Sequence, residues 1–302
     1  MKKCIPVLLM LTILICGCSK QAQESTSEPV SDTFFAMDTT MDFRIYGDKS
    51  LLQDAQNVIT DLEKKVSVTD SDSEIYKINE NGSGILSGEA DTLMKNDISI
   101  YPIVKAWGFT TGSYQVPDEE TIQTLLTKVD YTQIQYDEAS GNVTISEGMT
   151  IDLGSIAKGY AGELAARTLR DKGVTSALLN LGGNVQTIGS KPDGSAWIIG
   201  IKDPKNPDTA MMGLSVNDQA VVTSGGYERY FEQDGLTYWH IMDPATGHPA
   251  KSGLLSVTVV GDKGGICDAL STSLFVMGLD KAYDLWAKSD DFEAVFVATD
   301  GT

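Results

Sequence analysis

Histidine is nearly absent from this chain: His240 and His248 are the only two in 302 residues. That argues against a zinc centre built on several histidines. Cysteine is scarce as well. There are four in all, and Cys4 and Cys16 lie close to the N-terminus. Beyond residue 17 only Cys18 and Cys267 remain. No disulfide framework is therefore available, and Cys267 reads as a small buried hydrophobe. Positive charge is the third shortage. Lys and Arg total 23 against 42 Asp and Glu, a formal net charge of −19. A surface that acidic excludes nucleic acids and anionic membranes as partners bound through charge. It still allows a local anion site made of backbone N–H groups and a metal. Gly-x-Ser-x-Gly and Gly-x-Gly-x-x-Gly are both missing. The chain thus has neither a serine-hydrolase elbow nor a dinucleotide fingerprint.

The apolar run at residues 5–15 is too short to span a bilayer as a helix. Lys2 and Lys3 precede it, and Ile15, Cys16, Gly17 and Cys18 follow. This resembles a bacterial lipoprotein leader with Cys18 as the lipidated residue. On that reading residues 1–17 are a signal peptide and residues 18–32 a polar, flexible tether. The protein would then be lipid-anchored at the extracytoplasmic face of the cell membrane. An ordinary secretory signal or a short anchor helix is the alternative.

The rest of the chain mixes helical and strand periodicity, with hairpin-like pairs and no internal repeat. This predicts an α+β fold: one large domain over 33–302, with a largely antiparallel or mixed sheet flanked by helices. Residues 34–46 read as a strand centred on 41–46. Ser50 and Gln53 read as a capping box opening a helix, with Ala55, Val58, Ile59, Leu62 and Val66 as its apolar stripe. Another helix is expected over 91–105, with Met94, Ile98 and Tyr101 inward and Pro102 bending or ending it. Asp118 to Glu120 place acids in the first turn of a further helix. Residues 142–151 read as a strand or hairpin arm, 154–172 as the clearest helix, and Gln233-Asp234-Gly235 as a hairpin turn. Helices at 265–277 and 281–288 and a strand at 293–298 complete the reading.

Two stretches put small, rigid and polar residues where a core element needs apolar ones. They are residues 151–160, containing Asp152, Gly154, Ser155 and Lys158, and residues 240–249, containing His240, Asp243, Gly247 and His248. A strand ending at Asp152 and a helix starting after Gly154 would aim free N–H groups at an anion. Lys158, one turn in, would reach a phosphate. A plain strand-turn-helix accounts for the same residues equally well. Asp268 and Thr272 share a helix face that is otherwise apolar. An acid there needs a partner or a metal, and carboxylate and hydroxyl oxygens suit Mg²⁺. A local cap explains Asp268 as well. His240, with Asp243 nearby, is a candidate for proton transfer. His248 reads as a residue that hydrogen-bonds the turn.

These landmarks fall in order with Ala36-Met37-Asp38-Thr39, Asp72 to Ile75, Trp107-Gly108-Phe109, Asn180 to Asn184 and Thr223 to Tyr227. Together they resemble the FAD:protein FMN transferases, the ApbE-type flavin transferases. The resemblance implies FAD as substrate, Mg²⁺ on its pyrophosphate, and transfer of FMN to a Thr or Ser hydroxyl of an exported redox protein, releasing AMP. By motif, Asp268 and Thr272 would hold Mg²⁺, with the Ser155 carbonyl and with Ser271 nearby. Met37, Thr69, Trp107, Gly108, Phe109, Asp152, Lys158 and Ile241 would line the FAD site. His240 and Asp243 would activate the acceptor hydroxyl. With water as acceptor the same site would be an FAD pyrophosphatase, and without turnover a flavin-binding lipoprotein. Two positions depart from the pattern: Asp38 stands where the family usually has Gly, and Ser271 where some members have a second acid. Family members usually continue beyond residue 302 with another strand, so the resemblance also implies a domain lacking its C-terminal end.

Overall fold

The computed structural model describes residues 28–88, 90, 93 and 98–302. The leader, Cys18, most of the tether and Met94 lie outside the described residues. The chain begins with β1 (Val30–Ala36), β2 (Thr39–Ile45), α1 (Ser50–Val66), α2 (Glu74–Asn81), β3 (Ser83–Ile85), α3 (Tyr101–Ala106) and α4 (Glu119–Leu126). It continues through β4 (Gln135–Asp137), β5 (Asn142–Thr144), α5 (Ala157–Asp171), β6 (Ala177–Leu181), β7 (Asn184–Ile188), β8 (Trp197–Asp203) and β9 (Asn206–Val216). It ends with β10 (Ala220–Gly225), β11 (Tyr230–Gln233), β12 (Leu236–Trp239), β13 (Leu254–Gly261), α6 (Gly264–Met277), α7 (Leu279–Trp286) and β14 (Phe292–Ala298).

The α+β expectation holds. Seven strands form an antiparallel sheet in the order β1-β2-β6-β7-β10-β13-β14. In β2, buried Met41, Phe43 and Ile45 alternate with more exposed neighbours, as a strand covered on one face requires. Strand β7 is buried at every position, and β10 and β13 at almost every one. They are covered on both faces, which is why they read as continuous apolar runs. One cover is the layer of α1, α5 and α6. The other is the β8–β9 hairpin, whose Trp197, Ile199 and Ile201 pack on Val185, Val221 and Val260.

The α1 stripe is buried as its spacing predicts, through Leu52, Ala55, Ile59, Leu62 and Val66. Its start differs. Ser50 is the first helical residue and donates to Asp48 Oδ1, so no capping box forms. The predicted strand at 34–46 is two strands, because Met37 and Asp38 both adopt positive φ, +50° and +59°. Such a pair makes the two-residue turn that matches strand twist. The helix expected over 91–105 is described only as α3, with Pro102 in its first turn, where a missing N–H costs nothing. Helix α5 starts at Ala157, later than expected. Gly154 donates to Asp152 Oδ1, and the Ile156 and Ala157 N–H groups both reach Leu153 O, closing a tight turn first. The arm at 142–151 contributes only β5 to a strand.

Candidate active site

A cleft of about 320 Å³ opens where the β1–β2 turn, the end of α1, the start of α5, the end of β10 and the middle of α6 converge. The size suits a small-molecule site. Of the predicted residues it gathers Met37, Thr69, Asp152, Ser155, Lys158, His240, Ile241, Asp268 and Thr272 along its wall.

Asp268 is buried on α6, and its Oδ2 accepts the Gly159 N–H at 2.7 Å. The two helices meet closely enough for this because both facing residues are glycine. A Cβ on Gly159 would stand 2.2 Å from Gly264 O. Burial pushes the Asp268 carboxyl up to about 6, against the opposing pull of the Lys158 charge and the Gly159 N–H. The Asn184 amide also favours its ionised form, although Asn184 Nδ2 has no partner of hydrogen-bond geometry. The two groups therefore face each other slightly out of line.

Beside Asp268 runs a chain of hydroxyls. Ser271 donates to Asp268 O at 2.9 Å, so it must accept from Ser224 across their 2.7 Å contact. Ser224 in turn accepts from Thr272 at 3.0 Å. Every hydroxyl proton points inward along this chain, and Thr272 Oγ1 is left with lone pairs alone. Lone pairs on Thr272 next to the Asp268 carboxylate fit a hard cation. No group of three or more His, Cys, Asp or Glu side chains placed to hold a metal exists among the described residues. One carboxylate plus hydroxyl and carbonyl oxygens is a set that suits Mg²⁺ completed by water and phosphate oxygens.

His240 is partly buried, and its Nδ1 lies 3.2 Å from Arg229 O, which also accepts the His240 N–H at 3.1 Å. A carbonyl only accepts, so Nδ1 carries the ring proton and Nε2 keeps its lone pair. Burial lowers the imidazole to about 4, helped by the Arg229 and Lys158 charges. It is neutral at pH 7. Asp152 moves the other way: burial raises it despite the Gly154 N–H and the Arg229 charge.

Five predicted residues fall behind the wall. Trp107 is fully buried, and its Nε1 donates to Gly247 O at 2.9 Å, pinning the 243–248 turn. Gly108 has φ +83°, and a Cβ there would stand 2.1 Å from Ser113 O, so its lack of a side chain shapes a turn. Phe109 packs 5.7 Å from Phe231 and 6.3 Å from His240, backing the imidazole from inside. Neighbours Ile100, Val104 and Thr110 reach the cleft instead. Ser271 is fully buried within the hydroxyl chain and acts on the site through Ser224. Asp243 is spent on its own turn, accepting Ala245 N–H at 2.9 Å. His248 pairs with Glu119 at 3.2 Å, a structural tie. Replacing Trp107 with Phe should therefore lower stability by about 1–3 kcal/mol, the cost of a stranded buried carbonyl. If the cleft binds FAD, that affinity should stay within a few-fold. Urea denaturation and flavin fluorescence titration separate the two; lost affinity at unchanged stability would return Trp107 to the cleft.

The site also holds residues the sequence reading passed over. Glu63 accepts the Met37 N–H at 2.8 Å and so fixes the left-handed turn that Asp38 completes. Glu228, Arg229 and Asn184 line the cleft too. Arg229 carried one usable signal: it is the sole Lys or Arg between Thr223 and His248.

The ApbE family model matches residues 37–296. A FAD:protein FMN transferase of Klebsiella pneumoniae (strain 342) is 40% identical over 203 residues, 67% of this chain and 62% of the relative, so the chain spans under two thirds of that relative's length. A FAD:protein FMN transferase of Vibrio cholerae is 30% identical over 296 residues, covering 91% of this chain and 88% of the relative. The crystal structure of the ApbE protein from Thermotoga maritima superposes with a TM-score of 0.84 at 31% identity, covering 91% of this chain and 96% of that one. With the family model spanning nearly the whole described domain, this chain belongs to the ApbE family.

Proposed function

We propose that this protein transfers FMN from FAD to a Thr or Ser hydroxyl of an acceptor protein through a phosphoester bond and releases AMP. The observation that carries this reading is the convergence of a neutral His240, Lys158 and the Asp268–Thr272 oxygen pair in one cleft. Phosphoryl transfer needs positioning and charge neutralisation more than covalent chemistry from the enzyme. Lys158, on the cleft wall, would meet a phosphate. Asp268, Thr272 and the Ser155 carbonyl would hold Mg²⁺. When bound, the metal neutralises the diphosphate and improves AMP as a leaving group.

His240 takes the proton. The acceptor O–H donates to Nε2, its oxygen bonds to the flavin phosphorus, and the P–O bond to the adenylate phosphate breaks. An imidazole near 4 is a weak base in the empty cleft. A diphosphate beside it favours the protonated form and strengthens it during transfer. His240→Asn can keep a donor near the Nδ1 position facing Arg229 O but cannot take the proton. It should slow transfer by roughly 10²–10⁴-fold while FAD binding persists.

Residues 1–17 would direct export, and Cys18 would carry the lipid that holds the domain at the extracytoplasmic face of the membrane. Its acceptors would be exported redox proteins. The deciding experiment incubates the protein with FAD, Mg²⁺ and an exported redox protein as acceptor, reading AMP and acceptor mass. A gain of one FMN on the acceptor, absent with EDTA, supports the transferase. AMP with free FMN and no mass gain makes water the acceptor and overturns it.

A further inference from the structure

Two cations line the cleft, Lys158 and Arg229. Among the described residues neither side chain makes a hydrogen bond or an ion pair. Two half-exposed basic residues away from the cleft do find carboxylates: Arg170 meets Asp218 and Lys172 meets Asp54, each at 2.6 Å. Arg229 is more enclosed than a surface lysine, and the main chain beneath it is fixed, because its carbonyl takes both the N–H and the Nδ1–H of His240. A partly buried guanidinium without a counter-ion loses hydration and gains nothing back. The chain has carboxylates to spare, yet the one nearest in effect, Asp152, is occupied with the Gly154 N–H.

We infer that Arg229 is an oxyanion-binding residue of the cleft, reserved for a phosphate of the dinucleotide beside His240. The inference rests on the transferase reading for the identity of that dinucleotide. A guanidinium offers a planar fork matched to two phosphate oxygens. Lys158 and Arg229 line the same cleft as His240, Asp152 and Asp268, and the Arg229 backbone is tied to His240 through its carbonyl. The two phosphates of FAD share this chemistry, so the ligand is either the adenylate or the flavin phosphate.

The test titrates wild type, Arg229→Met and Arg229→Lys with FAD, AMP and FMN, and with the phosphate-free adenosine and riboflavin. It is run in EDTA and again with Mg²⁺. Arg229→Met should weaken FAD roughly 10- to 100-fold and change adenosine and riboflavin less than about twofold, since no charge-assisted bond is lost there. Arg229→Lys should recover part of the loss. A penalty confined to AMP assigns the adenylate phosphate, one confined to FMN assigns the flavin phosphate, and penalties with both place Arg229 between them. An equal penalty for riboflavin and adenosine means a structural role and overturns the inference, as does an unchanged FAD affinity. Wild type that binds FAD in neither condition overturns the transferase reading itself.

Discussion

On the proposed transferase reading, Asp268→Ala should abolish Mg²⁺-dependent release of AMP from FAD, by at least about 10³-fold in kcat/KM, the scale on which a key electrostatic group acts. The fold survives. Alanine strands the Gly159 N–H, at about 1–3 kcal/mol, but it also removes a carboxylate that is held buried at a cost. Urea denaturation with and without Mg²⁺ checks both halves: wild type gains stability from the metal and the variant does not. A variant that keeps turnover would remove Asp268 from the metal site. The same carboxyl would make the proposed metal binding pH-dependent. In metal-free protein it titrates near 6, above the ordinary 3.8. Mg²⁺ must displace its proton below that point, so affinity falls as pH drops through about 6. Without metal the sign for stability reverses. The folded state holds this proton more tightly than the unfolded chain, so Asp268 alone stabilises the apo fold as pH falls from about 6 toward 4.

Gly159→Ala is the second large effect, on stability. The new methyl would lie 2.2 Å from Gly264 O and 2.6 Å from Asp268 Cβ. Neither neighbour is a flexible side-chain end, so α5 and α6 must separate. Alanine gains about 1 kcal/mol of helix propensity over glycine, and overpacking a core typically costs about 1–3 kcal/mol, more when backbone must move. A net loss of about 2 kcal/mol or more is expected, read as a lower urea midpoint at unchanged slope. Unchanged stability would mean the helices do not touch there.

The parts of this fold that the sequence announced were those where one physical demand acts alone. The α1 stripe and the Asp234-Gly235 hairpin needed only periodicity and turn chemistry. Asp268 stood out because an acid on an apolar helix must be capped, paired or bound to a metal, and each of those leaves it buried at a definite place. Trp107 and Phe109 were different. Aromatics beside a turn serve a ligand or a core equally well, and only the indole bond to Gly247 decides. Asp243 misled in the same way, because an Asp that builds its own turn has the same neighbours in sequence as an Asp that helps a histidine. Glu63 and Arg229 were hidden because a charge on a helix's polar face, or beside a strand, ordinarily meets water. Their meaning depends on what tertiary folding brings opposite them.

The cleft draws its wall from Met37 at one extreme and Thr272 at the other, with Trp107 tied to a carbonyl 140 positions away. No stretch of the growing chain that stops short of α6 contains either half of the oxygen pair. The β1–β2 hairpin is made early, but it must wait for β6 before its sheet extends, and β13 must pair with β10 after another 29 positions of chain have been made beyond Gly225. Long-range pairings of this kind close late and slowly. A ribosome must therefore make the chain through α6 before the oxygen pair of the pocket exists at all.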